Sequence, residues 1–176
     1  MEILKYPHPC LRRKCREVER IDKLVVDRVA EMFQTMYDAR GVGLAASQVG
    51  WDARLCIVNS TGEADGEMVF INPVIVEAEG TVEEEEGCLS VPGINKRVRR
   101  AERIRVRAFD LKGEQFELES DGLLAIALQH ESDHLDGKLF ISKLTRSVKE
   151  AIAPRLKELE ESFKAAYPGA PTSCLM

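Results

Sequence analysis

The stretch Gln129-His130-Glu131-Ser132-Asp133-His134 constrains the fold and chemistry of this chain more than any other part of it. Residues four apart on an α-helix share one face, so two histidines at this spacing can bind one metal ion together. Glu131 is a candidate base for a water activated by that metal. The alternative is a charged helix face with two solvated histidines. The preceding apolar run 123–128 argues against it, because it predicts a buried helix in which unpaired polar groups are unfavourable.

The composition is that of a globular protein of ordinary charge. The chain has 176 residues, 44% hydrophobic and 31% charged, which fits one domain. Its net charge of -5 provides no broad basic field for nucleic acid or an anionic membrane. We expect a cytoplasmic protein, because neither a membrane span nor a targeting segment is evident. Five cysteines without paired spacing favour free thiols in a reducing compartment.

Hydrophobic periodicity predicts both helices and strands. A first helix should begin after the N-cap Asp22, and a last helix should have Pro154 in its first turn or at a kink. Alternating segments predict strands, the last two of which form a hairpin around a turn at 110–113. The predicted elements are helices at about 23–39 and 122–136, a last helix carrying Ile152, Leu156, Leu159 and Phe163, and strands at 54–59, 68–72, 74–76, 103–109 and 115–119.

This order of elements predicts the fold class. Strands occur in runs between helices, without the alternation that a parallel sheet requires, so we expect an α+β fold. Mixed, mainly antiparallel sheets should surround a central metal-binding helix, with an N-terminal and a C-terminal helix. We expect residues 1–166 to form a single catalytic domain. Two prolines and a glycine in the last residues predict a flexible tail over 167–176.

Two histidines do not complete a catalytic metal site, which usually has three protein ligands and one open position. Cys88 is a candidate third ligand, because Gly87 lets the backbone bend closely around a bound ion. Glu150 and Glu158 stay open as carboxylate ligands. The other cysteines and histidine are interpreted otherwise: Cys56 as a strand interior residue, Cys10 and Cys15 as part of an exposed basic segment, and His8 as a surface turn residue.

Three segments of the chain carry a family resemblance. They are Gly41-Val42-Gly43-Leu44-Ala45-Ala46-Ser47-Gln48, Glu86-Gly87-Cys88-Leu89-Ser90 and the stretch 129–134. Their order is that of peptide deformylases, and the chain resembles this family from about Ile3 to Phe163. The resemblance implies an enzyme that removes the formyl group from the N-terminal formylmethionine of nascent polypeptides and releases formate.

The resemblance also implies roles for individual residues. It implies one divalent metal ion, natively Fe²⁺, for which Zn²⁺, Ni²⁺ or Co²⁺ can substitute. A metal held by two neutral imidazoles and a thiolate keeps positive charge and an open position, which suits hydrolysis at neutral pH. The implied ligands are Cys88, His130 and His134; Glu131 is the proton carrier, and the Gln48 side chain with the Leu89 backbone N–H holds the oxyanion.

The substrate pocket can be predicted from the helix that carries the histidines. Leu123, Ile126 and Ala127 precede His130 by seven, four and three residues, so they share its face and form an apolar wall suited to methionine. The same residues could instead fill the core. The opposite wall, with backbone hydrogen bonds to an extended peptide, is expected from Val42, Gly43 and Gly87.

The basic cluster Lys96-Arg97-Val98-Arg99-Arg100 lacks interleaved aromatic residues, so a rim that meets the peptide is favoured over a nucleic-acid site. Arg40 departs from the resemblance, because many family members have an acidic residue there. An ion pair between position 40 and the cluster is therefore absent. The ribosome, near its exit tunnel, is a second expected partner, although the mixed charges of the last helix provide no strong electrostatic dock.

Two other classes share part of these features. A zincin metalloprotease would use His130, Glu131 and His134 but would need a downstream carboxylate or histidine ligand, and it would tolerate loss of Cys88. A non-catalytic protein with a structural metal would need a fourth protein ligand. Glu131 and Gln48 argue against the structural site.

Overall fold

A five-stranded antiparallel sheet and a two-stranded ribbon flank a central helix in the computed structural model, which describes residues 1–169. The predicted α+β fold is confirmed. In chain order the strands are β1 (Gly43–Ala45), β2 (Leu55–Val58), β3 (Met68–Glu79), β4 (Val82–Glu86), β5 (Lys96–Arg100), β6 (Arg103–Phe109) and β7 (Gln115–Asp121), and the helices are α1 (Lys23–Asp38), α2 (Gly122–Leu135) and α3 (Arg146–Ala166).

The five-stranded sheet has the order β1-β2-β3-β6-β7, which makes β1 an edge strand. Helix α2 packs against this sheet and buries Ala125, Leu128 and Leu135 in the core between them. The predicted β6–β7 hairpin is confirmed. Its turn is closed by Asp110, whose Oδ1 accepts hydrogen bonds from the backbone N–H groups of Lys112 and Glu114.

Helix α1 follows the predicted pattern. The Asp22 side chain caps it by accepting a hydrogen bond from the Val25 N–H at 3.2 Å. Its buried apolar residues recur at three- and four-residue steps, so one face of the helix packs against the sheet: Val25, Val29, Met32, Phe33 and Met36.

Strand β3 runs through Pro73 and includes both of the predicted segments, 68–72 and 74–76. Asn72 has a φ of 52°, and the register with β6 shifts between Ile71 and Val74. Pro73 therefore lies at an irregularity, where a missing N–H is tolerated. The Asn72 side chain holds this backbone by hydrogen bonds to both the N–H and the C=O of Val18.

The β4–β5 ribbon was not predicted, because neither strand alternates polar and apolar residues. It pairs an acidic strand with a basic one, and Glu83 lies opposite Arg99 while Glu85 lies opposite Arg97. Opposite charges directly across a strand pair stabilise it. The prediction that residues 96–100 form an exposed rim is wrong at Arg100, which is buried.

Several predictions about the two termini are also wrong. His8 and Cys10 are buried because α3 covers the N-terminal segment, and the rings of Phe163 and Tyr167 contact the His8 ring. Cys15 is buried as well. Cys15, Cys56 and Cys88 are free thiols, whereas Cys10 is disulfide-bonded.

Pro154 lies well inside α3 rather than in its first turn, because the helix begins at Arg146. Of the predicted tail 167–176, residues 170–176 lie outside the described residues. The helices of residues 1–169 include none with the length and apolar character to cross a membrane.

Candidate metal centre

Three side chains from two elements converge beside the sheet. His130 and His134 project from consecutive turns of α2, and Cys88 comes from the loop after β4. Their candidate ligand atoms all lie within 4.8 Å of one another, and Cys88 Sγ is 3.2 Å from His134 Nε2. One thiolate and two imidazoles form a donor set suited to Zn²⁺ or Fe²⁺, with three protein ligands and an open position. These residues therefore fit a catalytic divalent metal ion.

Neither carboxylate left open by the sequence joins this group. Glu150 pairs with Arg146, and Glu158 pairs with Arg155, both pairs on exposed turns of α3. Within residues 1–169, the cluster with ligand spacing contains only Cys88 and the two histidines.

Glu86, at the end of β4, orients the first histidine. His130 Nδ1 lies 2.8 Å from Glu86 Oε2, a hydrogen bond in which the carboxylate accepts, so Nε2 remains for a metal. Burial lowers the pKa of His134 well below its usual value, which keeps that imidazole neutral, as a metal ligand must be.

Glu86 is itself held in place by a buried group of charged side chains. We call this group the site network: Glu86, Arg100 and Asp133. Arg100 donates to both carboxylate oxygens of Glu86, at 2.6 and 2.8 Å, and also to Asp133 Oδ2. Burial alone would raise the pKa of Glu86, but the hydrogen bonds from Arg100 and His130 outweigh it and lower this pKa to about 2. The network therefore joins β4, β5 and α2 behind the histidines. Sequence reasoning missed it, although Asp133 lies within the histidine motif.

Glu131 lies next to the ligands and is 4% exposed. Its Oε2 has no hydrogen-bond partner among the described residues, and burial raises its pKa to about 7. A Cβ at position 43 would lie 2.6 Å from Glu131 Oε1, so only glycine fits there without displacing the carboxylate. Gly43 therefore sets the position of Glu131.

Gln48 is held in a short 3₁₀-helix, Ala46–Val49, and is 2% exposed. The backbone N–H of Ala45 donates to Gln48 Oε1 at 2.9 Å. The Gln48 Nε2 donates to Ser90 Oγ at 3.1 Å and lies 3.8 Å from Cys88 Sγ. These contacts fix the amide so that its N–H groups face Cys88.

An N-terminal segment connects the Gln48 loop to the Cys88 loop. The Leu4 N–H donates to the Gln48 carbonyl at 2.7 Å, and the Tyr6 N–H donates to the Ser90 carbonyl at 2.8 Å. Between them, Lys5 Nζ donates to the Leu89 carbonyl at 2.7 Å. Sequence reasoning missed these contacts, because they join residues that are more than forty positions apart.

A cavity of about 410 Å³ is lined by two of the three candidate ligands, Cys88 and His130. This volume suits a small-molecule or peptide side-chain site. The predicted substrate-binding residues all line it: Val42, Gly43, Gly87, Leu123, Ile126 and Ala127. It is also lined by residues with predicted catalytic or ligand roles, and by Arg40, Glu85 and Asn95, which had no predicted binding role.

Comparison with known proteins gives a consistent result. A family model described as Polypeptide deformylase matches residues 1–150. The chain is 47% identical over 161 residues to a peptide deformylase of Chromobacterium violaceum, covering 92% of this chain and 96% of the relative, and equally to one of Neisseria gonorrhoeae. A peptide deformylase structure from Plasmodium falciparum matches with a TM-score of 0.90 and 38% identity, covering 93% of this chain and 98% of that one. A peptide deformylase structure from Legionella pneumophila matches with a TM-score of 0.86 and 43% identity, covering 92% of this chain and 95% of that one.

Proposed function

The chain belongs to the polypeptide deformylase family and hydrolyses the N-formyl group of the N-terminal formylmethionine of nascent polypeptides, and we propose that Cys88, His130 and His134 hold the divalent metal ion of this reaction. One observation carries the proposal. The three candidate ligand atoms lie within 4.8 Å of one another, and Cys88 and His130 line a cavity together with Glu131.

Glu131 is proposed to move the protons of the reaction. When bound, the metal ion supplies Lewis acidity, which activates water and polarises the formyl carbonyl. Glu131 is buried, and its Oε2 has no hydrogen-bond partner within residues 1–169, so this carboxylate is available to take a proton from water. It can then give that proton to the departing amine, which leaves formate as the second product.

Gln48 and Leu89 are proposed to stabilise the negative charge that develops on the formyl oxygen. Because the Ala45 N–H holds Gln48 Oε1, the amide presents N–H groups toward Cys88. The Leu89 N–H and the Cys88 carbonyl belong to the same peptide group. That carbonyl accepts a hydrogen bond from the Val91 N–H at 2.9 Å, which fixes the orientation of the group. Donors held in place before the reaction need no reorganisation as the charge develops.

The methionine side chain is proposed to pack on the wall formed by Leu123, Ile126 and Ala127, all of which line the cavity. The peptide backbone is proposed to lie along Val42 and Gly43, at the free edge of the sheet next to β1. This arrangement predicts faster hydrolysis of formyl-Met than of formyl-Gly or formyl-Asp peptides, with a graded preference among apolar side chains.

Fe²⁺ is the proposed native ion, with Zn²⁺, Ni²⁺ or Co²⁺ as substitutes, because a donor set of one sulfur and two nitrogens accepts each of them. We also propose that residues 1–166 form the catalytic domain. Its partners are N-formylmethionyl chains near the ribosomal exit tunnel in the bacterial cytoplasm, because these chains are made there.

The test is formate release from formyl-Met-Ala-Ser by anaerobically prepared protein, with metal analysis of the same sample. We expect Cys88→Ala to lose both metal and turnover. The matched control Cys56→Ala removes a different buried thiol and should keep both. If Cys88→Ala retains metal and turnover, as a zincin-type site would, the proposed ligand set is wrong.

A further inference from the structure

Arg40 brings a positive charge to the mouth of the substrate cavity. Arg40 is exposed and lines the cavity beside Gly41, Val42 and Gly43. Among residues 1–169, its guanidinium has no ion pair, hydrogen bond or ring contact. A positive charge at this position is therefore available to whatever enters or leaves the cavity.

The backbone at Arg40 is one that glycine usually provides. The Gly41 N–H donates to the Met36 carbonyl at 2.8 Å, and the Arg40 N–H donates to the Tyr37 carbonyl at 2.9 Å. This hydrogen-bond pattern ends helices at a left-handed residue, and Arg40 has a φ of 57° there. Residues other than Gly or Asn are unfavourable in this left-handed conformation. The arginine thus contributes nothing evident to the end of α1.

The path of the substrate leads past this side chain. The formyl end of the bound peptide is expected to lie next to Glu131, the proposed proton carrier. Gly43 packs directly against the Glu131 side chain. Residue 40 precedes Gly43 by three positions and so lies at most about 10 Å from it, at roughly 3.3 Å per residue. A peptide extended along this edge has its second or third residue after the methionine at that distance.

Glu85 is the other exposed charge in the cavity lining, and it has a cationic neighbour. Glu85 lies directly opposite Arg97 in the β4–β5 ribbon, where side chains on one face are close together. The deeper Glu86 is paired with Arg100. Arg40 has no such counter-charge among the residues that the structure describes, so its guanidinium is available to an anionic group.

We propose that Arg40 makes this enzyme prefer formylated peptides with an acidic side chain at the second or third residue after the methionine. This inference rests on the proposed function. A guanidinium can bind a carboxylate with two parallel hydrogen bonds. Because the pair is exposed to solvent, we expect a preference of about two- to five-fold in kcat/KM.

The experiment compares three C-terminally amidated peptides, formyl-Met-Ala-Glu, formyl-Met-Ala-Gln and formyl-Met-Ala-Lys, and repeats the comparison with the varied residue one position further on, in formyl-Met-Ala-Ala-Glu, formyl-Met-Ala-Ala-Gln and formyl-Met-Ala-Ala-Lys. In the wild type the Glu/Lys ratio of kcat/KM should exceed one at one of the two positions. Arg40→Glu should invert it, Arg40→Gln should bring it near one, and Arg40→Lys should preserve its direction. Arg146→Gln, which removes the same charge from a position outside the cavity, should leave the ratio unchanged.

Ionic strength provides an independent readout. The ratio should approach one between about 0.01 and 1 M salt, because the Debye length shrinks from roughly 30 to 3 Å. A ratio of one in the wild type at both positions, or the same ratio in Arg40→Glu and wild type, would overturn the inference while the proposed function stands. If wild type does not hydrolyse the neutral Gln peptide, the proposed function fails and this inference fails with it. Thermal unfolding of each variant checks the fold, and Arg40→Gln with Arg40→Lys suffices if Arg40→Glu does not fold.

Discussion

Two networks of arginines and carboxylates stabilise this molecule in different surroundings. In the site network the Arg100 side chain is 2% exposed, and that of Glu86 is 5% exposed. On the outer face of the large sheet, the arginine side chains are 33 and 49% exposed. We refer to that second group as the sheet network: Glu77, Arg105, Arg107 and Glu117.

The two networks show that burial, more than the number of ion pairs, decides what a charge does. Water screens the sheet network, and exposed pairs contribute about 0–1 kcal/mol. The site network is buried from bulk solvent, so removal of one member leaves the others buried and unpaired. It also orients His130, and so links the fold to the metal site.

The largest expected difference between the two regions is in turnover. Glu131→Gln should keep the metal, because no ligand is removed, but should lower kcat by about 10²–10⁴-fold, since the proton carrier is lost. Glu117→Gln, the same change in the sheet network, should leave kcat unchanged. Formate release and metal content measured on both variants test this, and near-normal kcat in Glu131→Gln would exclude its proposed role.

The second difference is in stability. Arg100→Met should lower the free energy of unfolding by about 3–5 kcal/mol, because Glu86 and Asp133 lose their buried partner. Arg105→Met should lower it by no more than about 1 kcal/mol. Denaturant titration of both variants measures this. Equal losses would show that burial does not separate the networks.

The third difference concerns His130 and acid. Glu86→Gln should weaken metal binding by about 10- to 100-fold, because the ligand His130 loses its charged orienting partner.

The same variant tests the acid stability of the fold. The pKa of Glu86 is about 2 in the folded protein and 4.5 ordinarily, so the contribution of Glu86 to the free energy of unfolding is complete above about pH 4.5 and is lost as the pH falls toward 2. Acid unfolding should therefore be less steep over this window in Glu86→Gln. An unchanged metal affinity and an unchanged acid profile would contradict this role.

The smallest expected effect tests an exposed contact next to the site. Lys5→Met removes the hydrogen bond to the Leu89 carbonyl and should lower kcat about two- to ten-fold, the range for one net hydrogen bond. Lys149→Met removes a similar bond, from Lys149 Nζ to the Ser142 carbonyl at 2.7 Å, and should leave kcat unchanged. If both variants lower kcat equally, the Lys5 contact has no special role in positioning Leu89.

The same contrast explains what could be predicted from the sequence. Helix α1 and the β6–β7 hairpin were predictable because their apolar residues recur with a regular period. The histidine pair and Cys88 were identified from their residue types, their local spacing and the family resemblance. The β4–β5 ribbon has no apolar period, since charge pairing across the strands stabilises it. Arg100 and Lys5 could not be assigned, because their partners are brought close only by the folded chain.

The central claim is that one sulfur and two nitrogens hold the metal. X-ray absorption of the zinc-loaded protein tests it most directly. It should show one Zn–S distance of about 2.3 Å and two Zn–N distances of about 2.0–2.1 Å, and the same spectrum should be found in Cys56→Ala, whereas Cys88→Ala should retain too little zinc to give one. A zinc environment of nitrogen and oxygen alone in the wild type would contradict the account.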